Sequence, residues 1–396
     1  MEPRTTAIVN IGILLTGDLR GPIAAADSLL VEDGRIAAIG GVAAGEADRT
    51  IDIGGATVGP GLIDSHCHVV LGDFTPRQNT VGFLASYVHG GITQAISAGE
   101  IHTPGRPTNR EGGKALAVAL RHCWDNYRPN GMKVHGGSVV IEPVLTAEDF
   151  QEIAAQGVWL AKFGFGQYRD PADGLPQVRA AQAAGIKVMC HSGGASIPGC
   201  KPITAEHLLL LRPDVCGHVN GGPTSLDDDD LLTLIHDSDL VLQIVQAGNL
   251  RSAIHIVRAV LDSGAEHRVI LGSDTPTGTG VMPLGMLKTI AELSSLAGVA
   301  PETAWAWASG VTADVYGLES GKIEVGRPAD LVASDAPWGS LAGDALGALR
   351  RGDIPGISAV IIDGVVRALR SRNTPSAARA VTVTPEIPEP PGSGHV

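Results

Sequence analysis

Gly59-Pro60-Gly61-Leu62-Ile63-Asp64-Ser65-His66-Cys67-His68-Val69-Val70 is the segment from which the rest of the chain can be ordered. A Gly/Pro turn releases an apolar run that reads as a buried strand, with two histidines near its far end. Side chains alternate between the faces of a strand, so His66 and His68 share one face and Cys67 takes the other. Two imidazoles placed in this way can bind one metal ion. They suit a catalytic divalent ion with open positions better than a closed, cysteine-rich structural site. Taken alone, the pair also reads as two surface or core histidines.

The following residues alternate strand and helix, which argues for a parallel sheet because parallel strands need crossover connections. Strands are expected at 62–70, 92–98, 134–141, 157–165, 186–192, 214–220, 240–246 and 268–274. Helices fall between them, at 114–127, 146–156, 174–185, 204–211, 227–236 and 249–264. Eight such units over roughly 260 residues predict a (β/α)8 TIM-like barrel. An open doubly wound sheet competes, but no glycine-rich phosphate loop follows any strand. The acidic run Asp227–Asp230 precedes Leu231-Leu232 and reads as the first turn of a helix, where the dipole favours carboxylates.

The ends of the chain have a different texture. Residues 26–40 read as a hairpin around Asp33-Gly34, and Ile51 to Val58 as a further strand. Gly321 to Gly326, Ala329 to Ser334 and Ala359 to Val366 are strand-like too, the last with an Asp363-Gly364 turn. Residues 1–59 plus 320–381 are therefore expected to build one small composite β-sandwich beside a barrel of residues 60–319. The Pro/Glu/Gly-rich tail 382–396 is expected to be disordered. A net charge of −13 argues against nucleic acid or an anionic membrane as partner. No apolar run is long enough to span a bilayer, and the N-terminus has no signal-peptide pattern. Five cysteines without a CxxC pair fit a reduced, cytoplasmic protein.

Barrel chemistry sits at the C-terminal ends of the strands. His66 and His68 lie there on the first strand, Lys162 inside the apolar fourth, His191 on the fifth, His218 on the sixth and Asp274 on the eighth. Each has an ordinary explanation, such as a satisfied core histidine, a snorkelling lysine or a helix-capping aspartate. Together, in this order, they resemble the amidohydrolase superfamily of metal-dependent hydrolases. Its pattern is HxH on strand one, Lys or Glu on strand four, His on strands five and six, and Asp on strand eight. Within it the chain is similar to hydrolases that open cyclic amides. The similar stretches are Gly105 to Pro107, Gly193 to Gly199, His218 to Thr224, Asp274 to Gly280, Gly352 to Ser358 and Ser371 to Pro375.

The resemblance implies two divalent ions, zinc or zinc with iron. His66, His68 and Asp274 would hold one, His191 and His218 the other, and Lys162, carboxylated on its amine, would bridge them. It also implies a hydroxide held between the ions as nucleophile, Asp274 as general base and a homo-oligomer such as a tetramer. The implied substrate is a small carboxylated lactam. The alternatives are another ring-opening amidohydrolase of the dihydroorotase or hydantoinase kind, a dipeptidase-like amidase, or a non-catalytic metal-binding scaffold. Arg106, in the loop 100–107 after strand two, is either a bidentate clamp for the substrate carboxylate or an exposed loop arginine. Thr224 and Thr275 follow ligand-bearing strands and are expected to line the pocket. His135 is expected to be structural, and Cys67, Cys190 and Cys216 to be packing residues.

Overall fold

The computed structural model describes residues 3–99, 103–388 and 390. Residues 100–102 of the loop that leads to Arg106, and 389 and 391–396 of the tail, lie outside the described residues.

Eight parallel strand positions follow one another as the alternation predicts. They are Leu62–Cys67, Ile92–Ser97, a third in two pieces (Lys133–His135 and Val139–Val140), Leu160–Phe163, Lys187–His191, Val215–Gly217, Leu242–Val245 and Val269–Gly272. The third is divided because Lys133–His135 pairs with the second strand while Val139–Val140 pairs with the fourth. The last strand returns to the first. Asp274 N donates to His66 O at 2.8 Å and His68 N to Thr275 O at 2.9 Å. A helix follows each strand, beginning with Phe83–Val88 and ending with Gly285–Glu292. This is a TIM-barrel-like α/β fold. Its strands are buried on both faces, as a sheet covered by crossover helices must be. Asp227 caps the helix Asp228–Asp237, its carboxylate accepting from Asp230 N at 2.8 Å, so the acidic run is a helix start.

The chain ends supply two further sheets. One has five strands in the order Thr382–Thr384, Arg49–Asp52, Thr5–Val9, Leu29–Glu32 and Arg35–Ile39. The other has six: Val365–Leu369, Gly356–Ile362, Leu331–Asp335, Thr57–Pro60, Ile13–Leu15 and Ile23–Ala24. Ile8, Leu29 and Ile51 of the first share one apolar core with Leu14, Val58 and Ile361 of the second.

Four expectations need correction. Gly59-Pro60 is not a turn but the end of the strand Thr57–Pro60, and the chain passes into the barrel strand at Gly61. There a Cβ would come within 2.2 Å of Thr93 Oγ1, so only glycine permits the approach. The run from Ile51 to Val58 is broken at residues 53–56, where the chain leaves one outer sheet for the other. Gly321 to Gly326 forms turns, and Ile323 enters the outer core from a loop. The tail is ordered at its start: Thr382–Thr384 pairs antiparallel with Arg49–Asp52. Its Thr-Val-Thr sequence is β-favourable despite the proline-rich surroundings.

Candidate active site

His66, His68, Lys162, His191, His218 and Asp274 all line one cavity of about 340 Å³. His66 is fully buried. The amide nitrogen of Gln243 donates to Ser65 O at 3.0 Å and approaches Ser65 Oγ at 2.8 Å, which fixes the amide's orientation. Gln243 Oε1 therefore faces His66 Nδ1, 2.6 Å away, and accepts its proton. The lone pair is left on Nε2, which has no hydrogen-bond partner among the described residues and stands 3.4 Å from Asp274 Oδ1. His68 Nε2 lies 2.9 Å from the same oxygen. The ligand atoms of these three residues all fall within 4.8 Å of one another.

A second pair faces them. His191 Nε2 donates to Gly194 O at 2.6 Å, so its other nitrogen, Nδ1, carries the lone pair. That Nδ1 is 2.9 Å from His218 Nε2. Burial pushes the His191 imidazole down to about 4, and burial and neighbouring His191 push His218 well below the ordinary value. Two neutral imidazoles aimed at each other in this way suit a shared cation. Lys162 is buried, with Met189 Sδ 3.5 Å from its Nζ and the Phe165 ring 5.8 Å away. Burial lowers its amine to about 8. Residue 99 must be glycine, since a Cβ there would come within 2.7 Å of Lys162 Cβ.

Asp274 and His218 both have left-handed backbone, with φ of 54° and 39°. Such conformations are costly for residues with a side chain and are held by surrounding structure at functional sites. Burial alone would raise the Asp274 carboxylate, but its contacts with the surrounding rings, the hydrogen bond with His68 Nε2 among them, outweigh burial and lower it. Behind it runs a buried polar chain. Ser273 Oγ donates to Asp64 Oδ2 at 2.5 Å and lies 2.8 Å from Thr275 Oγ1, which contacts the Tyr87 hydroxyl.

Thr275 is fully buried in this chain, so it supports the Asp274 turn and does not line the cavity, contrary to expectation. Thr224 does line it. Arg106 stands outside the described lining, its Nη1 paired with Glu142 Oε1 at 3.0 Å. Glu142 is almost completely buried, and a carboxylate there requires a cation. His135 is hydrogen-bonded to Gln94 at 3.0 Å, and Cys67, Cys190 and Cys216 are buried among the packing residues. Residues 57–367 match the amidohydrolase family.

The chain belongs to that family. It is 46% identical to the enamidase of Eubacterium barkeri, over 96% of this chain and 99% of the relative. The crystal structure of enamidase superimposes with a TM-score of 0.93 at 46% identity, covering 96% of this chain and 100% of that one. An imidazolonepropionase of Mycolicibacterium smegmatis is 25% identical over 84% of this chain and 91% of its own. A Xaa-Pro dipeptidase shares the fold, with a TM-score of 0.62 at 15% identity over 91% of this chain and 99% of that one. As an amidohydrolase the protein hydrolyses carbon–nitrogen bonds, and its family generally uses divalent metals. The orphaned His66 Nε2, the facing His191 and His218 nitrogens and the ionised Asp274 are a donor set that fits them. Among the described residues no helix is long and apolar enough to cross a membrane.

The sequence reading missed Gln243 and Arg77. Gln243 was legible as the lone amide in Leu240-Val241-Leu242-Gln243-Ile244-Val245, and Arg77 as the one basic residue between the first strand and its helix.

Proposed function

We propose that the enzyme opens a small cyclic amide at a two-ion centre. His66, His68 and Asp274 would hold one divalent ion, His191 and His218 the other, with Lys162, carboxylated on Nζ, between them. Bound there, the ions would supply an activated water and polarise the amide carbonyl. Asp274 takes the proton of the attacking water on its carboxylate and returns it to the departing nitrogen. Lys162 first gives up its ammonium proton and reacts with CO2 as the neutral amine: a C–N bond forms, the amine nitrogen releases a second proton, and a buried cation becomes an anion. Its lowered affinity for protons supports this, because at about 8 the neutral fraction near pH 7, though minor, is far larger than that of an ordinary lysine. Phe165 and Ile197 give the cavity apolar surface for the substrate ring.

The proposal extends to the closed (β/α)8 barrel of residues 60–319 and the composite β-sandwich of 1–59 plus 320–381. It also covers a cytoplasmic homo-oligomer that acts on a small molecule. The observation that carries it is the placing of the His66–His68–Asp274 group and the His191–His218 pair in one cavity. The kinship with enamidase supports the choice of a cyclic amide. The test is a panel of six-membered lactams, hydantoins and dipeptides given to metal-loaded protein, with ring opening read by mass spectrometry. Lactam opening is the expected result. Dipeptide cleavage with inert lactams would overturn the reading.

A further inference from the structure

We propose that Arg77, which neither the ligand pattern nor the family kinship assigns, is the residue that anchors the substrate's carboxylate. The proposal rests on the lactam-hydrolase reading and names the charged group that its substrate carries. Arg77 lies between the short strands Phe74–Thr75 and Thr80–Val81, which pair antiparallel between the first barrel strand and its helix. This hairpin is held at both ends. The Asp73 carboxylate accepts from Leu84 N at 2.6 Å and Ala85 N at 2.9 Å, fixing its base to the start of the helix Phe83–Val88. At its tip, Thr75 Oγ1 donates to Gln78 Oε1 at 2.9 Å, and the Gln78 amide donates to the carbonyl of Thr277. Thr277 belongs to the turn that follows Asp274. The hairpin is therefore tied to the segment that carries the candidate proton acceptor.

Arg77 lines the cavity that contains His66, His68, Lys162, His191, His218 and Asp274. Its Nη2 would stand 3.5 Å from a Cβ on Gly278, so the guanidinium rests against the same turn. Among the described lining residues it is the only guanidinium, in a chain of net charge −13. A permanent cation in the lining of a hydrolytic cavity attracts an anionic substrate and orients it through paired N–H donors. The hydroxyls of Thr277 and Thr279 line the same side-chain cluster and offer further donors. About 340 Å³ accommodates one ring with a carboxylate, but no polymer. The amide has to reach the metal ligands, so the carboxylate is the substrate group left for Arg77.

Arg77→Gln, Arg77→Lys and the double variant Arg106→Gln/Glu142→Gln, which removes both charges of that buried pair, are compared with the parent after matched metal content and melting temperature are confirmed. The substrates are a six-membered lactam carboxylate and the corresponding carboxamide. Arg77→Gln is expected to lower kcat/KM about 100-fold on the carboxylate and to leave the carboxamide within about threefold. Arg77→Lys should recover part of the loss, and the Arg106→Gln/Glu142→Gln double variant should match the parent. Equal losses on both substrates, no loss on either, or discrimination lost in the Arg106→Gln/Glu142→Gln variant instead would overturn the proposal. Calorimetric titration of the metal-loaded proteins with cyclohexanecarboxylate decides the point without turnover. Binding weakened about 100-fold by Arg77→Gln supports the anchor, and unchanged binding refutes it. If the parent opens no lactam, the functional reading fails while this titration still decides Arg77.

Discussion

Gln243 sets the protonation of His66. With its amide nitrogen held by Ser65, its oxygen accepts from His66 Nδ1 at 2.6 Å and from His218 N at 3.2 Å, so one side chain orients two metal-ligand candidates. Groups that orient ligands in this way typically change metal affinity by 10–100-fold when removed. Gln243→Leu should therefore weaken metal retention by about tenfold or more, measured by competition with a chromogenic chelator. Retention equal to the parent would show that His66 needs no such partner. The candidate ligands were legible as a group, because strand alternation places His66 and His68 on one face and strand ends supply the others, and all six line one cavity. Gln243 was less so, since its partner His66 lies 177 residues away in sequence. The left-handed backbone of His218 and Asp274 has no sequence signature, because neither is glycine. For Arg106 the loop position was right, but only the structure shows that Glu142 already uses its charge.

At the scale of elements, the first helix ends on a buried histidine. His89 follows Phe83–Val88, and neither ring nitrogen has a hydrogen-bond partner among the described residues. A strap covers it: Ser371 Oγ donates to His89 O at 2.5 Å and Asn373 Nδ2 to Ser86 O at 2.8 Å. Burial, reinforced by Arg372, lowers this imidazole from 6.5 to about 4. The fold thus keeps His89 neutral in a range where the unfolded chain takes up a proton. Its contribution to stability is complete above pH 6.5 and declines as the pH falls towards 4. His135, also lowered to about 4 by burial, acts in the same direction. Replacing His89 by Leu should narrow the fall in Tm between pH 7 and pH 5 by roughly 2 °C in scanning calorimetry. An unchanged fall would place the acid sensitivity elsewhere. The helix was legible only by its position between strands, while the strap comes from the far end of the chain and has no local signal.

For the whole molecule, strand–helix alternation carried the barrel-like reading, because the physics of parallel pairing leaves few other ways to connect such segments. The outer sheets were legible through Asp33-Gly34 and Asp363-Gly364, whose positive φ values make hairpin turns. Gly321 to Gly326 looked like a strand because its apolar residues alternate, yet Ile323 reaches the outer core from a turn. Thr382–Thr384 was missed because composition argued for disorder while pairing with Arg49–Asp52 supplied order. The consequence of the fold is that candidate ligands from five different strands meet in one cavity, with His68 and Asp274 in contact across 206 residues. The claim that they form a two-ion hydrolytic centre is tested most directly by elemental analysis of anaerobically purified protein, with lactam turnover followed as metal is restored to the apoprotein. The account predicts about two divalent ions per chain, and activity that appears only as the second is bound. Full activity with a single tightly held ion would contradict it.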